Sequence, residues 1–593
     1  MRIALLIAAA SVFLGGCQSA GPEDLDAFLA DYDTLYRDLW QLAEGARWDA
    51  NTDIGDATSA ARIDAEKAYA EQLGDADLIL QAQEFLKRDD LSFIQRQQLT
   101  YVLLNAAKFP GTIPETTTAL IEAEAAQNER LYGFDFRVTL PGEAPRAVSA
   151  NEITVGLSDA PDLASRLAWW TASKEIGPTL REGLVALRDL RNETAASMGH
   201  SSFFGLEVSE YGMTSREMID LMDEVLAGIM PLYAQLHCWV RHELAARWDV
   251  PVPRKLPAHW IGNKWAQAWP GIVEGIDLDA LVADRSPEWL LGQAQRYYTT
   301  MGFPELPESF WELSDLYALP PDSERRKNTH ASAWHIDLDR DVRSLMSVEP
   351  TFDWLQTTHH ELGHIHYYLA YSNPDVPFVL RTGANRAFHE AVGTLIELVS
   401  SQTAYLRAID LLGDDEEIDR IQWLLNQALL GPVTFLPFAC GTMTHWEHDF
   451  YEEPLPVGEM NARWWRYVGK FQGVEPPSPR GERWCDPATK THISDDPAQY
   501  YDYALSSVIL HQLHDHICRE ILHEPPQTAT YYERPEVGAY LLEILRPGAT
   551  RDWRELMVEA TGAPLSSRAM LDYYQPLREW LEAQNAGRDV AFD

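Results

Sequence analysis

The stretch that decides the reading of this chain is Thr358-His359-His360-Glu361-Leu362-Gly363-His364-Ile365-His366. On a helix, residues four apart lie on one face, so His360 and His364 can offer imidazole nitrogens to one metal ion. Glu361, beside the first of these ligands, is placed to act as a general base toward water at that ion. The pattern predicts one Zn²⁺ per chain and zinc-dependent hydrolysis of peptide bonds. His359 and His366 lie off the ligand face, and we expect them to be core residues.

A catalytic zinc site of this kind needs a third protein ligand. The segment Gly383-Ala384-Asn385-Arg386-Ala387-Phe388-His389-Glu390 places a carboxylate at the start of a second helical stretch. Between His364 and Glu390 there is room for the rest of a helix, a turn and an antiparallel return. Spacing alone leaves Glu390 and other acids, such as Glu397, as alternatives.

Composition bounds the class of protein. The chain has 593 residues, 46 % hydrophobic and 23 % charged, which permits a large core. Its net charge of −42, from 90 acidic and 48 basic residues, repels nucleic acid, so we expect no nucleic-acid partner. A solvated acidic surface is the simpler interpretation of this charge, and steering of cationic peptides is the alternative.

The first residues have the pattern of a targeting segment. Arg2 precedes a mostly apolar run over 3–14, which is shorter than the roughly twenty residues of a membrane span and suits a signal peptide. Leu14-Gly15-Gly16-Cys17 resembles the lipobox of bacterial lipoproteins, with a buried cysteine as the alternative. The resemblance implies a signal peptide over 1–16, lipidation of Cys17 and a periplasmic protein of a Gram-negative bacterium. Gln18 favours anchoring in the outer membrane over the inner membrane.

The rest of the chain is typical of an all-α protein, mostly helical with a few short strands. Apolar residues recur at three- and four-residue spacing, which indicates amphipathic helices over 58–109, 162–198, 214–248 and 536–585. One strand candidate, Phe134–Leu140, precedes a Pro141-Gly142 turn. No composition-shifted linker is present. We therefore predict a single large domain over 17–593, with two lobes around a deep central cleft.

Several motifs together resemble the angiotensin-converting-enzyme family of peptidyl-dipeptidases, which are zinc metallopeptidases of the gluzincin type. The resemblance runs with gaps from about residue 200 to 585. Its motifs are His359–Tyr371, Gly383–Ala391, His330–Trp334, Trp265–Trp269, Phe435–Phe438, Lys490-Thr491-His492 with Tyr500 and Tyr503, and Tyr574–Leu577 with Trp580-Leu581. Membership in this family implies that Glu390 is the third zinc ligand.

The resemblance also implies roles for residues that bind an oligopeptide substrate. His330 and the backbone of Ala331 would bind its main chain. Three side chains would bind its free C-terminal carboxylate: Gln267, Lys490 and Tyr500. His492 and Tyr503 would donate hydrogen bonds to the oxyanion that forms at the scissile carbonyl.

The chain departs from the family pattern at identifiable places. The stretch between His364 and Glu390 is two residues longer, and that between Lys490 and Tyr503 is one longer. Thr394 replaces an Asp four residues beyond the third ligand, so we expect Glu397 to take over the orientation of a ligand. Two Arg that bind chloride in animal members appear here as Val468 and Asp502, which predicts an activity that does not require chloride.

Two other functions remain as alternatives to the release of C-terminal dipeptides. A zinc carboxypeptidase that releases single residues is the nearer one, but the relative with that activity carries an Arg where Gln267 stands. A catalytically inactive binding lipoprotein is the other. Inactive relatives lose the glutamate of the motif or a ligand, and this chain keeps both. The four remaining cysteines allow three disulfide patterns, and their spacing favours none.

Overall fold

A computed structural model describes residues 24–273, 278–320, 322–413, 418–453 and 455–592 of the chain. The predicted signal peptide over 1–16 and the lipidation site Cys17 lie outside the described residues.

Helices dominate the described residues, and the prediction of an all-α fold is confirmed. The first half contains α1 Leu25–Thr52, α2 Asp56–Leu73, α3 Ala76–Leu86, α4 Phe93–Ala106, α5 Pro114–Tyr132, α6 Ala150–Asp159, α7 Leu163–Lys174, α8 Gly177–Ser197, α9 Phe203–Val208, α10 Ser215–Arg247, α11 Asp279–Val282, α12 Pro287–Thr300 and α13 Glu308–Leu313. The predicted helical stretch over 58–109 corresponds to α2, α3 and α4.

The second half is also helical and carries the predicted metal ligands. It contains α14 Phe352–Tyr371, α15 Arg386–Ser400, α16 Thr403–Ala408, α17 Arg420–Leu430, α18 Pro432–Leu436, α19 Thr444–Tyr451, α20 Met460–Tyr467, α21 Thr491–Asp495, α22 Tyr501–His516, α23 Pro535–Leu545, α24 Trp553–Thr561, α25 Arg568–Tyr573 and α26 Gln575–Gln584. Three π-helical turns interrupt this part, at Pro437–Met443, Val468–Gln472 and Ile517–Leu522.

The part of the chain that the structure describes also contains seven short strands: β1 Arg137–Val138, β2 Arg146–Ala147, β3 Leu256–Pro257, β4 Asp315–Tyr317, β5 Ser332–His335, β6 Val342–Val348 and β7 Val474–Glu475. β1 lies in the predicted strand segment and pairs antiparallel with β2. The three-stranded sheet has the order β4-β6-β5, so β5 is at an edge. At this edge, the carbonyls of Ala333 and His335 accept hydrogen bonds from the side chains of Tyr368 and Trp40.

Side-chain caps fix where the two site helices begin. The Thr351 hydroxyl accepts a hydrogen bond from the Trp354 backbone N–H at 3.2 Å, at the start of α14. The Asn385 side chain accepts one from the Phe388 backbone N–H at 2.9 Å, at the start of α15. Such caps satisfy backbone groups that the first turn of a helix leaves without partners.

Two hydrophobic clusters form most of the core. The larger one joins α10 to the site helices and the C-terminal helices, and the smaller one is built mainly from α1, α3 and α4. The smaller cluster also includes Val379, and Asp33 of α1 accepts the backbone N–H groups of Phe378 and Val379. The Trp40 indole N–H also donates to the His335 carbonyl of β5 at 2.8 Å. Helix α1 is therefore attached to the strand that borders the site.

Four cysteines lie in the described residues, and each is a buried free thiol: Cys238, Cys440, Cys485 and Cys518. The run Arg420–Tyr451 is long and apolar enough to cross a membrane, but 67 % of its most apolar window is buried in the protein. A helix buried in the core of a folded protein has the same length and apolar composition.

Candidate active site

The predicted site lies where α14 and α15 pack against each other. Residues along the two helices meet in reverse order: His360 approaches Glu397, Gly363 approaches Gly393, and His364 approaches His389. The helices are therefore antiparallel, as the spacing between His364 and Glu390 predicts. A Cβ placed on Gly363 would lie 3.0 Å from the Gly393 Cα, so the two backbones touch at this pair of glycines.

This packing brings the three predicted ligands together. The Nε2 atoms of His360 and His364 are 3.0 Å apart, and His360 Nε2 is 3.9 Å from Glu390 Oε2. One donor atom from each of these side chains lies within 4.8 Å of the other two. Two ligands of one tetrahedral zinc ion stand about 3.3 Å apart, given Zn–N distances near 2.0–2.1 Å. The donor set and its spacing fit a zinc ion.

The charges around the ligands also fit a cation. Burial disfavours the charged form of His360, but Glu397, Glu361 and Glu390 outweigh it and raise the pKa of His360 to about 9. Burial and the neighbouring His360 lower the pKa of His364 well below its usual range. The three carboxylates thus favour a positive charge among these donors, and the neutral imidazole of His364 has the form that binds a metal.

Each imidazole ligand has a partner behind it. His360 Nδ1 lies 3.3 Å from Glu397 Oε2, so Glu397 occupies the orienting position that the sequence predicts for it. His364 Nδ1 lies 2.7 Å from His389 Nδ1. Burial lowers the pKa of His389 to about 3, so its ring is neutral. A His364 that ligates through Nε2 donates its Nδ1–H to His389, which then carries its own proton on Nε2.

The general-base candidate lies in the same pocket. The Glu361 side chain is buried, and its Oε2 has no hydrogen-bond partner among the described residues. Burial raises the pKa of Glu361 to about 7, while His360 opposes this shift and Glu390 adds to it. A carboxylate with a pKa near neutrality and a free oxygen is suited to take a proton from water and to return it.

The three side chains that are predicted to bind a carboxylate are joined by hydrogen bonds at the Oε1 atom of Gln267. Lys490 Nζ and the Tyr500 hydroxyl each donate to Gln267 Oε1 at 3.1 Å. Lys490 is 4 % exposed, and its Nζ lies 4.5 Å from the centre of the Trp265 ring and 5.0 Å from that of Tyr500. Among the described residues, no carboxylate lies within ion-pair distance of Lys490. The pocket is therefore a buried cation with aromatic walls and two further polar groups.

The predicted oxyanion donors lie beside this pocket. The His492 ring centre is 5.2 Å from that of Tyr500 and 6.1 Å from that of Tyr503. Burial raises the pKa of Tyr503, the Arg386 guanidinium opposes this shift, and the Glu390 carboxylate is among the charges that add to it. His492 and Tyr503 thus form one aromatic cluster with Tyr500 of the carboxylate pocket.

His330 and Ala331 directly precede the edge strand β5. His330 is exposed and is among the groups that lower the pKa of Glu361. His330 Nδ1 lies 2.8 Å from the Ala331 carbonyl oxygen. The Tyr368 hydroxyl donates to the Ala333 carbonyl at 3.3 Å, which ties β5 to α14 beside the motif.

The structure also clarifies residues outside the predicted set. His359 is a core residue as expected: its Nδ1 lies 2.7 Å from the Leu355 carbonyl and its Nε2 lies 2.9 Å from the Tyr405 hydroxyl. The sequence predicts no role for His389 or Arg386. His389 meets His364, and Arg386 meets residues more than 100 positions further along the chain, only once the chain is folded.

Two antiparallel helices that place a His-Glu-x-x-His motif and a glutamate around one cation site define a zinc metallopeptidase. The sequence model of the angiotensin-converting enzyme family matches residues 21–592. This chain belongs to that family, and the recognition of the family from the motifs is confirmed.

Curated relatives agree with this assignment. The angiotensin-converting enzyme of Mus musculus is 33 % identical over 497 residues, which cover 80 % of this chain and 37 % of that protein. That of Mesocricetus auratus is 28 % identical over 600 residues, covering 95 % of this chain and 43 % of the relative. That of Bos taurus is 33 % identical over 383 residues, which cover 61 % of this chain and 29 % of the relative. The chain thus spans less than half the length of these relatives.

Proposed function

We propose that this metallopeptidase is a peptidyl-dipeptidase, which hydrolyses oligopeptides to release their C-terminal dipeptides. The observation that carries the proposal is the convergence of Lys490, Tyr500 and Gln267 in one buried pocket. A buried cation without a carboxylate partner in the described protein is costly to desolvate, unless a ligand supplies the negative charge. The C-terminal carboxylate of a peptide supplies it.

The remaining groups have complementary roles in this proposal. His360, His364 and Glu390 would hold the zinc ion, which supplies Lewis-acid polarisation of the carbonyl and makes water more acidic. Glu361 takes the proton from the attacking water and passes it to the leaving amine. His492 and Tyr503 donate to the developing oxyanion, a contribution of about 3–4 kcal/mol for a well-placed donor. His330 and the backbone of Ala331 would bind the peptide main chain just before β5.

Gln267 favours release of a dipeptide over release of a single residue. The relative that releases single residues carries an arginine at this position, and the shorter glutamine leaves a longer pocket for the C-terminal end of the substrate.

The product of one substrate tests the proposal. The purified enzyme is incubated with an N-terminally blocked tripeptide, and the products are identified by mass. We expect a free dipeptide and the blocked residue, whereas a free amino acid would show the carboxypeptidase instead.

A variant in the same assay tests the role of the base. Glu361→Gln keeps the size of the side chain but cannot accept the proton, so turnover should fall by about 10²–10⁴-fold. Its zinc content, measured by elemental analysis, should match that of the wild type. Full activity in Glu361→Gln would refute the mechanism.

Two sequence-based predictions extend the proposal to the surroundings of the enzyme. We propose oligopeptides as the partners of the cleft, which fits the family. The lipid anchor at Cys17 and a periplasmic location remain proposals that rest on the first residues of the chain.

A further inference from the structure

Arg386 makes the densest set of polar contacts near the site, although the proposed mechanism does not use it. It is the first residue of α15, one turn before Glu390. Its guanidinium pairs with both carboxylate oxygens of Asp496, at 3.0 and 2.9 Å. Its Nε lies 3.5 Å from Asp502 Oδ2, and it also donates to the Gln499 side chain.

These partners all belong to the segment 496–502, which directly precedes Tyr503 and includes Tyr500. The Arg386 guanidinium carbon is also 5.9 Å from the centre of the Tyr503 ring. A planar guanidinium with five donors can hold several acceptors in one fixed arrangement, which an ammonium group cannot do. Arg386 thus links the helix of the third metal ligand to the segment that carries the proposed oxyanion donor.

A second bridge holds the same two elements. The Tyr211 hydroxyl donates to Asp502 Oδ1 at 2.6 Å and accepts the backbone N–H of Ala387 at 3.2 Å. Asp502 is 1 % exposed, so its carboxylate is fixed between Arg386 and Tyr211 inside the protein. The first turns of α15 and α22 are joined through Arg386 and through Tyr211.

We propose that Arg386 is a positioning residue for catalysis, which sets the distance of Tyr503 from the metal ligands by clamping Asp496, Gln499 and Asp502. The inference deepens the proposed function, because it rests on the role of Tyr503 as an oxyanion donor. An ordinary structural ion pair would affect the stability of the protein but would not act through Tyr503.

A double-mutant cycle separates these two possibilities. Wild type, Arg386→Ala, Tyr503→Phe and the double variant are compared in hydrolysis of the blocked tripeptide. Arg386→Ala should lower kcat by about 10–100-fold, the size of effect expected when a catalytic group moves by about 1 Å, and should raise KM less, because Tyr500 lies in the same segment. In the Tyr503→Phe background, the loss of Arg386 should have almost no further effect on kcat.

Two further variants define the chemistry of the clamp. Arg386→Lys keeps the charge but lacks the fork of donors, so it should remain close to Arg386→Ala. Asp496→Asn weakens the bidentate pair without removing the arginine, and it should show a smaller loss with the same dependence on Tyr503. This variant carries the test if Arg386→Ala does not fold.

Arg88→Ala is the matched control. Arg88 also forms a bidentate pair with an aspartate, Asp90, with both contacts at 2.9 Å. The Arg88 side chain is 37 % exposed and the Arg386 side chain is 35 % exposed. Its kcat should equal that of the wild type. The inference is overturned if Arg386→Ala keeps its kcat, or if the losses from Arg386→Ala and Tyr503→Phe multiply. If the wild type instead releases a single residue, the proposed function is wrong, but the double-mutant cycle still measures the coupling of Arg386 to Tyr503.

Discussion

At the scale of single residues, Lys490 is the side chain whose surroundings say most about the ligand. Burial, together with the smaller effect of the nearby Lys264 cation, lowers the pKa of Lys490 to about 7, while Asp495 and Glu447 act in the opposite direction. The free enzyme therefore holds Lys490 charged below neutral pH and loses the charge above it. A bound carboxylate stabilises the charged form and shifts this loss to higher pH.

This titration predicts a pH dependence that follows the C-terminal carboxylate of the substrate. The ratio of kcat/KM for a peptide with a free C-terminus to that for its amide should fall as the pH rises through about 7. Lys490→Ala should flatten this ratio, with a loss of about 10–100-fold in kcat/KM on the free acid, since a hydrogen bond to a charged group contributes about 1.5–3 kcal/mol. The amide serves as the control, because it cannot pair with Lys490. A wild-type ratio independent of pH would contradict the prediction.

The sequence predicts the residues that would touch the metal or the substrate better than it predicts the residues that hold them in place. The motif spacing places His360, His364 and Glu361 by helix geometry alone, and it leaves Glu390 open until the family motifs are considered. His389 and Arg386 act on partners that only the folded chain brings near, so a local pattern contains no signal for their roles.

At the scale of secondary-structure elements, the feature that builds the site is the contact of α14 with α15 at Gly363 and Gly393. A Cβ on Gly393 would lie 2.9 Å from His360 Cε1 and 3.0 Å from His360 Nε2, the proposed ligand atom. The His360 ring has little freedom to move away, because its other nitrogen faces Glu397. The approach of the two backbones thus fixes the separation of the ligands.

Gly393→Ala should therefore weaken zinc binding, even though alanine favours a helix by about 1 kcal/mol over glycine. The added methyl group displaces the His360 ring, and we expect a loss of about 10–100-fold in zinc affinity, comparable to the loss of an orienting partner. Competition with a chelator measures the affinity.

Gly292→Ala is the control for this substitution. Gly292 lies in α12 with nothing within 4 Å of the added Cβ, so this variant should bind zinc normally and be slightly more stable. Unchanged zinc affinity in Gly393→Ala would show that the ring can move aside.

Helices with a clear period of apolar residues are predictable from this sequence. The short strands are less predictable. The helices over 58–109 follow from apolar spacing, and the capped starts of α14 and α15 agree with the motifs they carry. The sheet of β4, β6 and β5 does not follow, because β6 is a mostly buried run without the alternation that marks a strand. Such a run has the same sequence pattern as a buried helix segment.

At the scale of the whole molecule, charge is the dominant property. A net charge of −42 raises the cost of bringing any anion to the protein. At the two positions where animal relatives bind chloride through arginine, Val468 is buried and apolar, and Asp502 is a buried carboxylate held by Arg386 and Tyr211. Burial raises the pKa of Asp502, and the Arg386 guanidinium opposes this shift. The fold thus places a carboxyl group, rather than an arginine, where the resemblance implies a bound anion.

We therefore expect activity without chloride. Replacing chloride by acetate at constant ionic strength should leave kcat/KM on the blocked tripeptide unchanged. Ionic strength must be held constant, because long-range attraction between a strongly acidic protein and a cationic peptide depends on screening. A many-fold rise on adding chloride would contradict this prediction.

The four buried thiols have a consequence for working with this protein. Cysteine in such surroundings behaves as a small hydrophobic residue, and burial raises the pKa of Cys485 to about 11, which keeps the reactive thiolate scarce. Because the described part of the chain contains no covalent cross-link, its folding does not depend on an oxidant. The enzyme and the variants named above are thus suited to recombinant production in a reducing cytoplasm, without an oxidative refolding step.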